Sequence, residues 1–221
     1  MAKEHTSLVS KYALGPDEIE VKSFQIVEEL MPPVVCTPEE RHVVVRVVHA
    51  TGDPAIAPSV RFHPKAISSG IEALKRGAPI FTDVRMVSVG ITQEVTRSFG
   101  CEINCAIADP EVAAKAKEWG TTRSIAAMRH FGSRLTGSIV AIGNAPTALL
   151  ALLDMIDSGE VQPALIVGTP VGFVASAESK DELMKRDIPY VSIQGYRGGS
   201  PVAAAIVNAI YHLAKGGNAT P

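Results

Sequence analysis

The stretch RHVVVRVVHATGDP, residues 41–54, sets ionisable side chains among valines. His42, Arg46 and His49 are spaced i, i+4 and i+7, which places them on one face if the segment is helical. In the last turn of a helix the dipole favours a protonated imidazole at His49, whereas packing against valine favours the neutral form. A histidine under these opposed influences can give or take a proton near neutral pH. The alternative is a core or surface histidine that is hydrogen-bonded to a carbonyl.

The element that carries these residues has conflicting signals. Its valines favour a strand. However, Thr37 is a suitable N-cap, Pro38 suits the first helical position, and Glu40 completes a capping box. Gly52 supplies a C-terminal stop. Because the capping signals have no comparable use in a strand, we predict a helix over residues 38–51.

Three arginines at turns or near helix starts are candidates for binding an anion: Arg85, Arg123 and Arg197. Arginine can hold a carboxylate through two parallel hydrogen bonds, although an arginine of this kind is, taken alone, more often a solvated surface residue. Arg197 is the strongest candidate, because the glycines around it allow a ligand to approach the backbone. Lys180 and Glu178 are interpreted as part of an ordinary charged helix start.

The rest of the chain repeats one pattern, in which a short apolar run reaches a turn and a helical segment follows. The runs are APIFTD, EINCAIADP, GSIVAIGNAP, PALIVGTP and IPYVSIQG. The helices are expected to start near Val84, Glu111, Pro146, Ala175 and Pro201. Apolar runs without alternation are typical of strands that are buried on both faces. The pattern predicts an α/β fold: a three-layer open parallel sheet of about five strands, with helices on both faces and an N-terminal helical segment.

In open parallel sheets, ligands bind beyond the carboxyl ends of the strands. This places TDVRMV, GNAPTAL, GTPVGF and GYRGGS along the edge where a site is expected. The glycine-rich turns are either anion cradles or tight connections. No strand is followed by a dinucleotide or P-loop fingerprint, or by a Gly-x-Ser-x-Gly elbow, which disfavours a nucleotide and serine hydrolase chemistry. A ligand rich in carboxylates is the stronger hypothesis.

We expect a single domain over residues 1–221, with an N-terminal arm and helix over 1–35 and a frayed tail over 215–221. The helical pattern EIEVKSFQIVEELM in the arm is stopped by Pro32 and Pro33. With 46% hydrophobic residues in a chain of this length, a large core can be buried.

Charge and cysteine content exclude several classes of function. A net charge of −2 gives no indication of a basic surface that binds nucleic acid or an acidic membrane. Cys36, Cys101 and Cys105 form no disulfide framework, which favours a reducing compartment. Cys101 and Cys105 would be only half of a metal site, so no metal is expected. With no signal-peptide core and no apolar window near the ~20 residues of a membrane span, we expect a soluble cytoplasmic protein.

Six stretches carry a family resemblance: VVHATGDP, GAPIFTDVRMVSVGI, GTTRSIAAM, VAIGNAPTALLALL, GTPVGFVASAESKDEL and GYRGGSPVAAAIVNAI. Together and in this order they resemble precorrin-8X methylmutase and its cobalt-precorrin-8 counterpart, over nearly the whole chain. GNAPTAL and PVGFVASAESK are the most distinctive segments. The resemblance implies an isomerase of cobalamin biosynthesis that moves a methyl group from C11 to C12 of a tetrapyrrole substrate. The product would be hydrogenobyrinic or cobyrinic acid.

The resemblance further implies an α/β fold with a parallel sheet, a homodimer with its active site near the subunit interface, and no cofactor of its own. It places the essential histidine at His49, which would protonate a ring nitrogen. It places substrate-contacting residues at Arg46, which would anchor a peripheral carboxylate, and at Ser23. Arg123 and Arg197 are expected as further carboxylate clamps.

Two other functions stay open from the sequence. A non-catalytic corrinoid carrier would need the carboxylate clamps but not His49. A nucleotide-binding α/β enzyme of another class is disfavoured by the missing glycine fingerprint.

Overall fold

The structure, a computed structural model, describes residues 15–217. The first 14 residues of the predicted arm and residues 218–221 of the predicted tail lie outside it. The helices are α1 (Pro16–Leu30), α2 (Pro38–Thr51), α3 (Ala66–Lys75), α4 (Arg85–Gly90), α5 (Glu94–Phe99), α6 (Pro110–Glu118), α7 (Arg123–Phe131), α8 (Pro146–Asp157), α9 (Ser176–Met184) and α10 (Ser200–Ala214), with 3-10 helices at Pro54–Ser59 and Gly132–Leu135. The strands are β1 (Val60–Phe62), β2 (Ile80–Thr82), β3 (Ile103–Asn104), β4 (Ile139–Ile142), β5 (Leu165–Gly168) and β6 (Tyr190–Ile193).

The strands form one six-stranded sheet in the order β1-β6-β5-β4-β2-β3. The five predicted strands, β2 to β6, pair in parallel. Strand β1 was not predicted; it pairs antiparallel with β6 and sets Val60 opposite Ile193. A strand of three residues is too short to show a hydrophobic pattern in the sequence. Its pairing with β6 is what defines it.

Helices cover both faces of the sheet and divide the core in two. Along β4, Ile139 and Ala141 join the core under α1–α5 and α10, whereas Val140 and Ile142 join the core under α6–α9. The apolar runs lacked alternation because each face of the strand meets a helical layer. This confirms the predicted three-layer α/β fold.

Helix α2 has the predicted bounds and capping. The Thr37 hydroxyl accepts a hydrogen bond from the Glu40 amide at 3.2 Å, and the Glu40 carboxylate accepts one from the Thr37 amide at 2.8 Å. Gly52 ends the helix in the left-handed conformation, with φ of 63°. The valines of α2 are buried, and the helix packs between α10 and α1. None of the helices between residues 15 and 217 is long and apolar enough to cross a membrane.

Candidate active site

The C-terminal end of α2 meets the carboxyl edge of the sheet through Arg197. This residue lies in the loop after β6, and its Nη1 donates to the Ala55 carbonyl at 2.8 Å. Its Nη2 lies 3.4 Å from the Asp53 carboxylate. The segment that follows α2 is therefore tied to the edge where the strands end. This contact brings the histidine-bearing helix, which lies outside the βα repeat, to the expected site.

Helix α1 supplies a partner for His49. Ser23 Oγ lies 3.0 Å from His49 Nδ1, and the Phe24 ring centroid lies 5.1 Å from that of the imidazole. The other nitrogen, Nε2, has no hydrogen-bond partner among the described residues, and His49 is exposed. One ring nitrogen is thus fixed by the chain and the other is open to a ligand.

The face shared by His42, Arg46 and His49 runs from the core to the surface. His42 is fully buried, the Arg46 side chain is 24% exposed, and His49 is exposed. The valines of α2 are buried, whereas His49 is exposed. The alternative was a core or surface histidine that is hydrogen-bonded to a carbonyl. His49 lies at the surface, and its contact is with the Ser23 hydroxyl.

Arg46 is held on several sides by the chain. Its Nε donates to His42 Nε2 at 3.0 Å, and its Nη2 lies 3.8 Å from the Glu20 carboxylate. The guanidinium carbon lies 5.1 Å from the centre of the Phe24 ring, a cation–π arrangement. Burial lowers the pKa of Arg46, and nearby Glu20 opposes that shift. The cation is thereby fixed one helical turn from His49.

The structure brings four of the five predicted site residues to one region. Ser23, Arg46 and His49 form a cluster, and Arg197 reaches the loop just beyond it. Arg123, exposed at the first position of α7, makes no described contact with these four. Its neighbour Thr122 caps α7, and the Thr122 hydroxyl lies 3.2 Å from the hydroxyl of Thr147 in α8. Arg123 therefore lies beside the start of α8, after β4.

The GNAP turn after β4 is not an open anion cradle. The Asp83 carboxylate, fully buried after β2, accepts hydrogen bonds from the amides of Gly143, Asn144 and Ala145 at 2.7–3.0 Å. Burial raises the pKa of Asp83, although these three hydrogen bonds favour the charged form. The Asp83 carboxylate already accepts hydrogen bonds from the amides that could bind an anion. The turn therefore links the ends of β2 and β4 and is not an open binding site.

Lys180, in α9, is fully buried, unlike an ordinary charged residue at a helix start. Its ammonium donates to the Pro170 carbonyl at 3.0 Å and to the Arg197 carbonyl at 2.7 Å. Burial lowers its pKa to about 8, with a small opposing effect from Asp181. Lys180 is therefore not part of an ordinary charged helix start. It fastens the loops after β5 and β6 to each other, and so holds the backbone of Arg197.

Large apolar side chains are exposed in the same loops. Phe173 and Val174 after β5 are 87% and 85% exposed, and Tyr196 after β6 is 54% exposed. The Phe173 and Tyr196 ring centroids lie 5.6 Å apart. We call these three residues the apolar rim. Such a rim beside cationic groups suits a ligand with a large apolar body and peripheral carboxylates.

Comparison with known proteins identifies the family. The family model described as precorrin-8X methylmutase matches residues 18–213. The chain belongs to the precorrin-8X methylmutase family. The cobalt-precorrin-8 methylmutase of Priestia megaterium is 44% identical over 202 residues, covering 91% of this chain and 90% of that protein.

Some relatives are named for cobalt-precorrin-8 and others for precorrin-8X. The precorrin-8X methylmutase of Pseudomonas aeruginosa is 47% identical over 170 residues, covering 76% of this chain and 81% of that protein. The solved structure of precorrin-8X methyl mutase from Thermus thermophilus has a TM-score of 0.83 and 39% identity, covering 90% of this chain and 98% of that one. The predicted family resemblance is confirmed. This member of the methylmutase family is an enzyme, an isomerase of cobalamin biosynthesis.

In this member of the methylmutase family, Cys101 and Cys105 make no hydrogen bond to Ser23 or His49 among the described residues. Cys101 is buried, its Sγ lies 3.5 Å from the Leu74 carbonyl, and burial raises its thiol pKa. Cys105 is partly buried after β3. Among residues 15–217, no group of three or more His, Cys, Asp or Glu side chains is arranged to hold a metal ion.

Proposed function

We propose that this enzyme moves the methyl group from C11 to C12 of precorrin-8X or cobalt-precorrin-8, giving hydrogenobyrinic or cobyrinic acid. The observation that carries the proposal is the Ser23–His49 contact at 3.0 Å, which leaves Nε2 of the exposed His49 without a hydrogen-bond partner among the described residues. The chain's relatives include proteins named for either substrate, and cobalt would enter with the substrate.

His49 is the proposed proton donor. In the protonated ring, Nδ1–H donates to Ser23 Oγ and Nε2–H faces the substrate. Donation to a ring nitrogen draws electron density from the macrocycle, so that the methyl group can migrate with its bonding pair. Because substrate and product are isomers, the proton returns by the end of turnover and no co-reactant is consumed.

The arginines are proposed to bind peripheral carboxylates. Arg46 lies one turn before His49, so a carboxylate held there would anchor the macrocycle beside the imidazole. Arg197 would share its guanidinium between Asp53 and the substrate. Arg123, beside the start of α8, would contact a more distant carboxylate. The apolar rim would cover part of the macrocycle, and we expect a homodimer with the site near its interface.

The test is visible absorption spectroscopy of the enzyme mixed with precorrin-8X or cobalt-precorrin-8. Wild type should convert one of them to the product spectrum, and His49→Ala should bind product without converting substrate. His130→Ala, on α7 away from the cluster, is the matched control and should retain activity. A fully active His49→Ala enzyme would refute the histidine assignment. If neither wild type nor variant converts substrate and both bind product, the chain acts as a corrinoid carrier.

A further inference from the structure

Behind Arg46 lies a pair of histidines that the proposed reaction does not use. His42, fully buried on α2, stacks on His212 of α10, with ring centroids 4.8 Å apart and ring planes at 13°. His42 Nε2 accepts the hydrogen bond from Arg46 Nε at 3.0 Å. The stack therefore fixes the ring plane of His42, and His42 in turn contacts the guanidinium.

We propose that His42 is a positioning residue for Arg46. Resting on the proposed role of Arg46 in carboxylate binding, this inference adds the residue that orients its guanidinium. Holding Nε to His42, beside the Phe24 ring, restricts the torsions of a long side chain before substrate arrives. Less conformational freedom is then lost on binding, so the carboxylate is held more tightly.

The hydrogen bond determines the tautomer of His42. Arginine has only donors and keeps its proton, so His42 Nε2 must be the unprotonated nitrogen and Nδ1 must carry the hydrogen. Within the described chain, the Nδ1 atoms of both His42 and His212 are buried without a hydrogen-bond partner.

An unpaired buried N–H destabilises a fold, and an apolar side chain of similar size would avoid it. Stability alone therefore does not account for a histidine at position 42. The hydrogen-bond acceptor that its Nε2 atom offers to Arg46 accounts for it.

The first experiment uses the wild-type enzyme. Nitrogen-15 NMR of the histidine rings should give His42 as a neutral imidazole with hydrogen on Nδ1, and the Arg46 Nε–H signal should exchange slowly with water. A His42 ring with hydrogen on Nε2, or a fast-exchanging Arg46 Nε–H, would overturn the proposal whether or not the enzyme is active.

The second experiment compares two amides at position 42. In His42→Gln the amide oxygen lies close to the Nε2 position, whereas in His42→Asn it falls short of Arg46. We expect His42→Asn to raise KM and product Kd by about tenfold, with kcat changed by less than about twofold. We expect His42→Gln to keep most of the wild-type affinity. Equal effects of the two amides would contradict positioning through Nε2.

A third variant separates this inference from the proposed function. If Arg46→Gln leaves product binding unchanged, the role of Arg46 in carboxylate binding fails, while the NMR signals still report whether His42 holds the guanidinium. If Arg46→Gln weakens binding and His42→Asn does not, the failure belongs to His42 alone.

Discussion

At the scale of single residues, the two ring nitrogens of His49 have different surroundings. Nδ1 lies 3.0 Å from the Ser23 hydroxyl, whereas Nε2 has no hydrogen-bond partner among the described residues and would face the substrate in the proposed reaction. A hydroxyl can accept from Nδ1–H or donate to bare Nδ1, so Ser23 can hold the ring before and after proton transfer. Ser23 is therefore better suited to orienting the donor than to binding the ring system itself.

This division of roles predicts the effect of Ser23→Ala. Without the hydroxyl the imidazole can rotate away from the substrate, so kcat should fall by about tenfold or more while product affinity is kept. Single-turnover absorption measurements and product titration give the two quantities. Ser68→Ala is the matched control, because that exposed hydroxyl donates to the Lys65 carbonyl at the start of α3 and does not contact His49. Equal losses in both variants, or none in Ser23→Ala, would remove the orienting role.

How far the site could be predicted from sequence differs from residue to residue. The helical spacing correctly placed Arg46 and His49 on one face, and Gly52 correctly ended their helix. Lys180 could not be recognised, because nothing in SAESKDEL distinguishes one charged side chain as buried. Its acceptors, the carbonyls of Pro170 and Arg197, come from two other segments, and only tertiary packing brings them to the ammonium.

At the scale of elements, the sheet and its crossover helices followed from pattern because each strand meets helices on both faces. Helix α3 was not predicted, and its sequence shows why. Gly70 lies in its interior, where glycine is unfavourable, yet a Cβ there would come within 2.9 Å of Leu165 Cδ2. The helix lies close against β5 and depends on that contact, which local propensity does not report.

The packing of α2 on α10 makes stability depend on pH. Burial, with Arg46 and His212 nearby, lowers the pKa of His42 from 6.5 to about 4. The pKa of His212 is lowered by burial, Arg46 and Lys215, with Glu20 on α1 opposing. Both rings are neutral in the fold and gain protons more readily when unfolded. The stability that neutral His42 contributes is therefore fully present above about pH 6.5 and is lost as pH falls towards 4, and the His212 contribution has the same sign.

Between neutral pH and about pH 5, the His42 contribution to this loss should be about 2 kcal/mol. Urea unfolding at neutral pH and at about pH 5 measures it, with His42→Gln as the comparison because the amide does not titrate. Carboxylates titrate in both proteins, so the difference between the two slopes isolates His42. Parallel slopes would show that His42 does not remain neutral in the fold.

At the scale of the whole molecule, the carboxyl edge of the sheet is a rigid platform beside the α1–α2 pair. Asp83 fixes the turn after β4, Lys180 joins the loops after β5 and β6, and Arg197 joins this edge to the loop after α2. The proposed methyl shift within one molecule would require a proton donor and a bound ring held in fixed relation. The apolar rim lies in the loops that Lys180 fastens, so it shares that rigidity.

This arrangement predicts that the apolar rim binds the macrocycle. Removing the ring in Phe173→Ala should weaken product affinity by about tenfold, because the ring offers a large apolar face beside Tyr196. Titration followed by visible absorption measures the affinity, and light scattering gives the mass of the assembly. Trp119→Ala, an exposed aromatic at the end of α6, is the matched control and should leave affinity unchanged. If Phe173→Ala instead halves the mass and product affinity stays the same, the rim is a subunit interface, and the macrocycle is bound without it.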